Sequence, residues 1–429
     1  MGPSVLLYFL RIADVNPTFL SWGIAAMATA GVITRPFKWP EAIWAVAGAL
    51  LIVALGLLPI TQALQAVAKG ADVYFFLFGM MLLSEVGRRE GLFDWVAVLA
   101  VNHAKGSPAR LFLLVYLVGV VVTTFLSNDA AAVVLTPAVF AAAKKADTKP
   151  LPLLFVCAFI ANAASFVLPI SNPANLVLYG NHTPALSLWM GRFIVPSVLS
   201  IAATYFMLRW AQRRDLRGEC KSGLDNVPLS SSGRIALGGI AVTAIVLLLV
   251  SAFDMQLGLP TAILGATTAA IVLIQERKSP WALVRDISWS VLPLVAGLFV
   301  LVEVLQHTGV IAHLAQMLQS ATQRDESLSA GLSGGVIAIA SNLMNNLPAG
   351  LISSATVMQA HSPERVIDAL LIGVDLGPNL SITGSLATIL WLNAIRREGE
   401  DVGFWKFLQV GTVVMIPALI LALGARVLI

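Results

Sequence analysis

Two asparagine-centred motifs stand inside long apolar segments, one in each half of the chain. The first is Ser127-Asn128-Asp129 and the second is Asn345-Asn346. Polar side chains at membrane depth are costly and usually mark the pathway of a substrate or an ion. The amides offer neutral hydrogen-bond donors and acceptors, and Asp129 adds a group that can carry a proton. A motif repeated half a chain apart predicts an internally duplicated transporter whose site lies where the two copies meet.

Each motif is followed by a second interruption in a later apolar segment. Residues 169–175 contain two prolines, and residues 377–385 contain proline and glycine, so both stretches should unwind. Unwound backbone is tolerated at membrane depth only where it lines a cavity or is packed by protein. Four half-helix ends with free backbone groups should therefore converge on a small polar basket. The predicted substrate-binding residues are Ser127, Asn128, Asp129, Ser171, Asn172, Asn175, Asn345, Asn346, Thr383 and Ser385.

Two carboxylates accompany this basket and are the candidates for proton coupling. Asp129 belongs to the first motif, where the structural alternative is an N-cap of the returning half-helix. Asp375 precedes the second break, where the alternative is a salt bridge or a cap. Glu85 lies near a span end and is better explained by an interfacial pair with Arg88 or Arg89. No catalytic residue, metal site or cofactor is predicted, because the histidines fall near loops or span ends and there are only two cysteines.

The composition predicts a polytopic membrane protein. Hydrophobic residues make up 58% of the 429 residues and charged residues only 12%, which excludes a soluble enzyme. The sequence has no phosphate-binding loop pattern, so it carries no recognisable nucleotide motor. An uncleaved first span is expected, because Arg11, Asp14 and Pro17 interrupt the region where a signal peptide would run. Spans are predicted near 19–34, 41–58, 72–87, 153–180, 185–208, 235–253, 259–275, 288–305, 366–395 and 406–425, with interfacial helices or half-spans at 91–103 and 308–320.

The two halves of the chain align at a nearly constant offset. Gly79 corresponds to Gly297 at 218 residues, and Asn128 corresponds to Asn345 at 217. The first repeat is predicted to cover residues 1–208 and the second residues 235–429. Residues 209–234 form a basic linker between them.

The charges of the loops indicate that the second copy is inverted. If 110–143 and 328–360 are re-entrant hairpins, one face collects all 27 lysines and arginines except Arg11, Lys69, Arg192, Arg324, Arg365 and Arg426. The positive-inside bias assigns that face, and the linker, to the cytoplasm. The predicted fold is an all-α polytopic membrane protein with an inverted-topology repeat of about five spans each, two re-entrant hairpins and two unwound transmembrane helices.

The motifs resemble those of a known family. Residues 125–131, 170–175, 344–348 and 373–388 are similar to segments of the ArsB arsenite permeases of the ion transporter superfamily. The resemblance runs from about residue 36 to the C-terminus, and residues 1–16 match poorly. It implies export of arsenite, and of antimonite, across the bacterial cytoplasmic (inner) membrane in exchange for protons. It also implies a mobile transport domain that carries both hairpins, elevator-type alternating access, frequent homodimers and, in some members, a soluble ArsA-type ATPase partner.

The chemistry of this substrate agrees with the residues in one respect. Arsenite near neutral pH is mainly the uncharged trihydroxide, and its recognition requires neutral donors and acceptors at close range. A dicarboxylate or phosphate site would be expected to contain a lysine or an arginine, and neither stands near either motif. Protons and membrane lipid are the other expected partners, and nucleic acid is not. Two alternatives remain: a sodium/proton antiporter of the same fold, and the membrane subunit of an ATPase-driven metalloid pump.

Overall fold

The computed structural model describes residues 16–180, 183–221, 223–225 and 228–429, so Arg11 and Asp14 lie outside the described ranges. Every regular element in those ranges is helical, which confirms the all-α prediction. Among the described helices, 7 are long and apolar enough to cross a membrane, or up to 9 if each of two bent pairs is one span. The protein is therefore an integral membrane protein.

The helices pack into two bundles, and each bundle takes members from both halves of the chain. The predicted division into repeats at 1–208 and 235–429 is a division of sequence and stays a prediction. The first bundle contains Pro17–Thr34, Glu41–Ala54, Ile60–Lys69, Ala71–Arg89, Ser231–Ala252, Gly258–Glu276, Pro280–Asp286 and Val291–His307. The second bundle contains Pro108–Leu126, Asn128–Ala130, Ala131–Leu135, Thr136–Lys145, Pro150–Ala163, Pro173–Tyr179, Leu186–Ala211, Glu326–Met344, Asn346–Ala360, Glu364–Leu376, Leu386–Arg397 and Phe404–Leu428. Two further helices, Leu92–Ala104 and Val310–Arg324, pack against the returning arms of the hairpins.

Two crossings in the first bundle depend on glycine. A Cβ atom on Gly79 would lie 2.2 Å from the carbonyl oxygen of Thr261, and one on Gly297 would lie 2.7 Å from the carbonyl carbon of Ala45. Helix backbones approach this closely only where a small residue stands at the contact. Gly79 and Gly297 are the residues that the sequence alignment of the halves equates. A close helix crossing therefore occurs at both of these aligned positions.

Bent helix pairs in the first bundle differ from the predicted spans. Ile60–Lys69 meets Ala71–Arg89 at 49°, and Pro280–Asp286 meets Val291–His307 at 42°. The spans predicted at 72–87 and 288–305 contain only the second helix of each pair. The shorter helices are too polar or too brief to stand out as apolar segments, although they occupy related places in the two halves.

The chain reverses sharply at both asparagine motifs. Ser127 has φ 105° and Asn345 has φ 75°, values that L-residues rarely adopt. At the open end of the first hairpin, the carbonyls of Gly106 and Ala146 accept hydrogen bonds from the consecutive amides of Cys220 (3.0 Å) and Lys221 (2.7 Å). The chain therefore enters and leaves this hairpin, Pro108–Lys145, at one end of the second bundle.

The second hairpin, Glu326–Ala360, has the same geometry at its open end. The Arg365 guanidinium, which follows the hairpin, lies 3.4 Å from the Ser327 hydroxyl and 3.7 Å from a Glu326 carboxylate oxygen. Both ends of this hairpin therefore meet as well. The direction from which each hairpin enters the membrane remains the prediction made from loop charges.

Candidate functional site

A small cavity lies where the two hairpin tips meet the two broken helices. Its polar lining comes from both hairpin tips and the first break. Its volume is about 10 Å³, which is room for about one water molecule. The polar lining residues are Asn128, Asp129, Asn172 and Asn346, and the apolar ones are Leu77, Pro173, Val291, Leu347, Leu386 and Ala387. We call this space the tip cavity. It brings four of the ten predicted binding residues together, and no lysine or arginine lines it.

Asp129 is the one carboxylate of the tip cavity. Its side chain makes no hydrogen bond or ion pair within the described part of the chain. A second cavity of about 80 Å³ reaches Asp129 and Ser127 from the side of Glu85 and Asp286. We call this space the Glu85 cavity, and the charge pattern places it on the predicted cytoplasmic side. Asp129 therefore has access to one face of the protein while it also borders the tip cavity.

The mouth of the Glu85 cavity is fixed by ion pairs. Glu85 accepts from Arg88 at 2.6 Å and from Arg89 at 2.8 Å, which is the interfacial pairing expected from the sequence. Arg89 also donates to Asp286 at 2.7 Å and so joins the two bent pairs of the first bundle. Glu85 is held by these arginines and is not available to the tip cavity.

A larger cavity of about 480 Å³ occupies the related position in the other half. The returning arm of the second hairpin lines it, as the returning arm of the first hairpin lines the Glu85 cavity. Glu303, the sequence partner of Glu85, lines it and is bonded to Lys69 at 2.7 Å. We call this space the Glu303 cavity. The Glu85 cavity shares four lining residues with the tip cavity, and the Glu303 cavity begins one helical turn further along the second hairpin, at Leu351 after Leu347.

Asp375 lies behind the tip cavity and does not line it. Its side chain is fully buried, and one carboxylate oxygen accepts from the Asn172 amide nitrogen at 2.8 Å. The other oxygen has no hydrogen-bond partner. The partner of Asp375 is therefore an amide, and neither a salt bridge nor a cap explains this residue. Asn172 is oriented from both ends, because its own oxygen accepts from the amide of Ala174 at 3.0 Å.

The tip asparagines retain unused acceptors. The side-chain oxygens of Asn128 and Asn346 are buried and have no hydrogen-bond partner among the residues that the structure describes. Buried polar atoms without a partner are uncommon, and a ligand or water usually satisfies them. Asn345 differs, because its side chain caps the amide of Leu347 at 3.3 Å and holds the tip in place. Among the polar residues of the tip cavity, Asn128 and Asn346 are thus the ones whose side-chain oxygens are left without a partner in the described part of the chain.

Two predicted residues of the first break are occupied by internal hydrogen bonds. Ser171 donates to the Thr124 carbonyl at 3.0 Å and fastens the break to the first hairpin. Asn175 donates to the carbonyls of Ser165 at 2.9 Å and Leu168 at 3.2 Å. Neither side chain lines the tip cavity. Both residues shape the unwound backbone rather than face the cavity.

The second break is held in the same way. Thr383 donates to the Asn342 carbonyl at 3.1 Å, which fastens this break to the second hairpin. Ser385 caps the following helix by accepting from the amide of Thr388 at 3.1 Å. Asn172 caps the helix after the first break in the same way, by accepting from the amide of Ala174.

Asn162 is a buried residue of the site that the sequence analysis missed. Its side-chain nitrogen donates to Asn379 at 3.0 Å and to Thr388 at 3.3 Å, across the boundary between the two halves. Asn162 lies in the apolar helix Pro150–Ala163, and its side chain is fully buried. A single amide side chain in an otherwise apolar span was the signal that could have identified it.

Comparisons with known proteins place the chain in a family of membrane transporters. The sequence profile of the CitMHS family, described as citrate transporter, matches residues 29–373. The chain is 27% identical over 361 residues to the arsenical pump membrane protein of Yersinia enterocolitica, covering 81% of this chain and 84% of that relative.

Solved transporters share the fold at low sequence identity. The YdaH transporter of Alcanivorax borkumensis aligns with a TM-score of 0.59 at 15% identity, over 96% of this chain and 98% of that one. MtrF of Neisseria gonorrhoeae, described among antimetabolite efflux pumps, aligns with a TM-score of 0.51 at 13% identity, over 98% and 97%. The chain therefore belongs to the CitMHS family of membrane transporters, and it is similar in sequence to the arsenical pump membrane proteins.

Proposed function

We propose that this protein exports arsenite, and antimonite, from the bacterial cytoplasm across the inner membrane in exchange for protons. The observation that carries the proposal is the tip cavity, which presents neutral amides and a single unpaired carboxylate. Relatives named arsenical pump membrane protein supply the class of substrate.

The lining of the tip cavity suits an uncharged, hydroxyl-rich solute. The free oxygens of Asn128 and Asn346 can accept from the hydroxyls of arsenite trihydroxide once the hairpin tips move apart, because the closed tip cavity of about 10 Å³ holds only about one water. Bound citrate would bring several carboxylates into this cavity, and a citrate site would be expected to contain arginine or lysine to pair with them. None lines the tip cavity, so citrate, which the family description suggests, is the weaker candidate.

Proton coupling requires a group that changes its protonation during the cycle, because a neutral solute cannot be driven by the membrane potential alone. Asp129 is this group, since it borders the tip cavity, has no protein partner and is reached from the Glu85 cavity. Protonation of Asp129 from outside accompanies release of arsenite, and deprotonation toward the cytoplasm prepares the site for the next molecule. Asp375 is the second candidate, and it acts on the site through Asn172.

An elevator-type movement fits the division into two bundles. All polar residues of the tip cavity belong to the second bundle, whereas Leu77 and Val291 of the first bundle close one wall. Sliding of the second bundle past these apolar side chains would open the tip cavity alternately to the Glu85 and Glu303 cavities. The site would travel intact, because Ser171 and Thr383 fasten each break to a hairpin.

The proposal is tested by arsenite uptake into everted membrane vesicles under an imposed pH gradient. We expect the wild-type protein to accumulate arsenite, and Asn128→Ala, Asn172→Ala and Asn346→Ala each to raise the arsenite KM. Asn102→Ala is the control, since that amide bonds the linker at Leu224 and lies away from the tips. Wild-type transport by all three tip variants would show that the site lies elsewhere.

The same vesicles separate the alternatives. Sodium-dependent and arsenite-independent proton movement would indicate a sodium/proton antiporter of this fold. Arsenite uptake that survives collapse of the proton gradient but requires ATP and a soluble ArsA-type partner would indicate an ATPase-driven pump. Proton-driven uptake of citrate without uptake of arsenite would overturn the proposal in favour of the function in the family description.

A further inference from the structure

Two short helices of the site run antiparallel and are joined by side chains at two points. Asn172, which caps Pro173–Tyr179, donates to Asp375 near the end of Glu364–Leu376. Seven residues further on, the Tyr179 hydroxyl donates to Asp368, which stands seven residues before Asp375. Equal and opposite spacing fixes the register of the pair over two helical turns. We call the Asn172–Asp375 contact the inner pin and the Tyr179–Asp368 contact the outer pin.

The outer pin is embedded in a buried charge cluster that the sequence analysis did not identify. Asp368 is fully buried, and its second oxygen accepts from Arg426 Nε and Nη2, each at 2.7 Å. Arg192 lies 3.9 Å from the first oxygen and bonds Glu364 at the protein surface. Asp368 thus keeps a charged partner even when the tyrosine hydroxyl is absent.

The repeat-related helix pair has the same plan without carboxylates. Pro150–Ala163 and Leu386–Arg397 are joined where Asn162 donates to Thr388 at 3.3 Å. They are joined again where the Trp391 indole donates to the Leu154 carbonyl at 2.8 Å. Each pair therefore has two pins, but only the pair that contains Asp375 uses ionisable groups.

The helix Pro173–Tyr179 needs such a support. It has only seven residues, and Gly180, with φ 55° and ψ −128°, ends it directly after Tyr179. Helices this short are not stable by themselves, and their geometry depends on contacts made by their ends. The N-terminal end of this helix carries Asn172, so a change at Tyr179 is transmitted over two turns to a residue that lines the tip cavity.

We propose that Tyr179 and Asp368 are positioning residues that hold Asn172 and Asp375 in the register required for transport. This inference rests on the proposed function, because it assigns a role to residues behind the same site. The hydroxyl of Tyr179 is the element that can be removed most selectively, since Tyr179→Phe leaves the pairing of Asp368 with Arg426 in place.

The test compares Tyr179→Phe with Tyr116→Phe in the full-length protein. Tyr116 is a matched control, because its buried hydroxyl donates to the Ile201 carbonyl at 2.6 Å, away from the pair. Tyr179→Phe should raise the arsenite KM about tenfold and leave the maximal rate within about twofold. Tyr116→Phe should change neither quantity. In an Asp375→Ala background, which has no acceptor for Asn172, the Tyr179→Phe effect on KM should shrink to less than about twofold, because the inner pin is already absent.

Hydrogen exchange of backbone amides 173–180 supplies a readout that needs no transport. Tyr179→Phe should accelerate exchange in this segment at least about fivefold, and Tyr116→Phe should not. Equal KM effects of Tyr179→Phe in both backgrounds, or unchanged exchange in this segment, would overturn the positioning role. Failure of the wild-type protein to transport arsenite would instead refute the proposed function, while the exchange experiment would still decide whether the outer pin holds the helix.

Discussion

Asp129→Asn is the substitution that separates proton coupling from arsenite binding. The Asp129 carboxylate has no hydrogen-bond or ion-pair partner within the described ranges, and it borders two cavities. Asparagine has nearly the same shape, so no packing or pairing is lost. We therefore expect the free energy of unfolding to change by no more than about 0.5 kcal/mol.

The expected effect on transport follows from the energy of one proton. A pH difference of one unit supplies about 1.4 kcal/mol per proton when the membrane potential is held at zero. Exchange of one proton for one neutral arsenite can then accumulate arsenite about tenfold in everted vesicles with an acidic lumen. Asp129→Asn should reduce this accumulation to about onefold. Because the amides of the tip cavity remain, exchange of labelled for unlabelled arsenite should continue without a gradient.

The assay measures both quantities on one vesicle preparation, with potassium and valinomycin holding the potential at zero. Asp286→Asn is the control, because Asp286 lines the Glu85 cavity but is bonded to Arg89 at 2.7 Å and lies outside the tip cavity. It should retain gradient-driven accumulation. Tenfold accumulation by Asp129→Asn would refute the coupling role, and loss of exchange in a correctly folded Asp129→Asn protein would make Asp129 a binding residue instead.

Two further predictions concern packing and the cysteines. Gly79→Ala should lower the free energy of unfolding by about 1–3 kcal/mol, because its Cβ would meet the backbone of Thr261 at 2.2 Å. Gly238→Ala, whose Cβ would meet nothing within 4 Å, should be neutral or stabilising by up to about 1 kcal/mol, and thermal unfolding in detergent compares the two. Cys157→Ala combined with Cys220→Ser should keep arsenite transport, since neither thiol lines the tip cavity, and lost transport with normal folding would contradict amide-based binding. Burial raises the pKa of the Cys220 thiol, so a maleimide should label the native protein slowly at neutral pH and the unfolded protein quickly.

Helix positions and breaks could be predicted from the sequence because they depend on local properties. Apolar runs predicted the membrane helices, and the prolines at 169 and 173 predicted the unwound stretch before Pro173–Tyr179. The bent pairs could not be found in this way, because a short polar helix such as Ile60–Lys69 carries no apolar signal. The predicted hairpin segments 110–143 and 328–360 fall within the observed hairpins Pro108–Lys145 and Glu326–Ala360.

The sequence by itself determined an all-helical membrane protein with polar residues at two tips and two breaks, because hydropathy, proline and glycine act within a few residues. Only the tertiary structure decided which of those polar groups face the tip cavity. Asn128 and Asn346 line it and have side-chain oxygens without a partner in the described residues, whereas the hydroxyls of Ser171 and Thr383 donate to carbonyls of the hairpins. The ten predicted polar residues look alike in the sequence, and their partners lie as far as 203 residues away, as for Asn172 and Asp375. A buried polar group becomes a binding group or a structural one according to the partner that folding brings to it, and that choice is made between helices rather than within them.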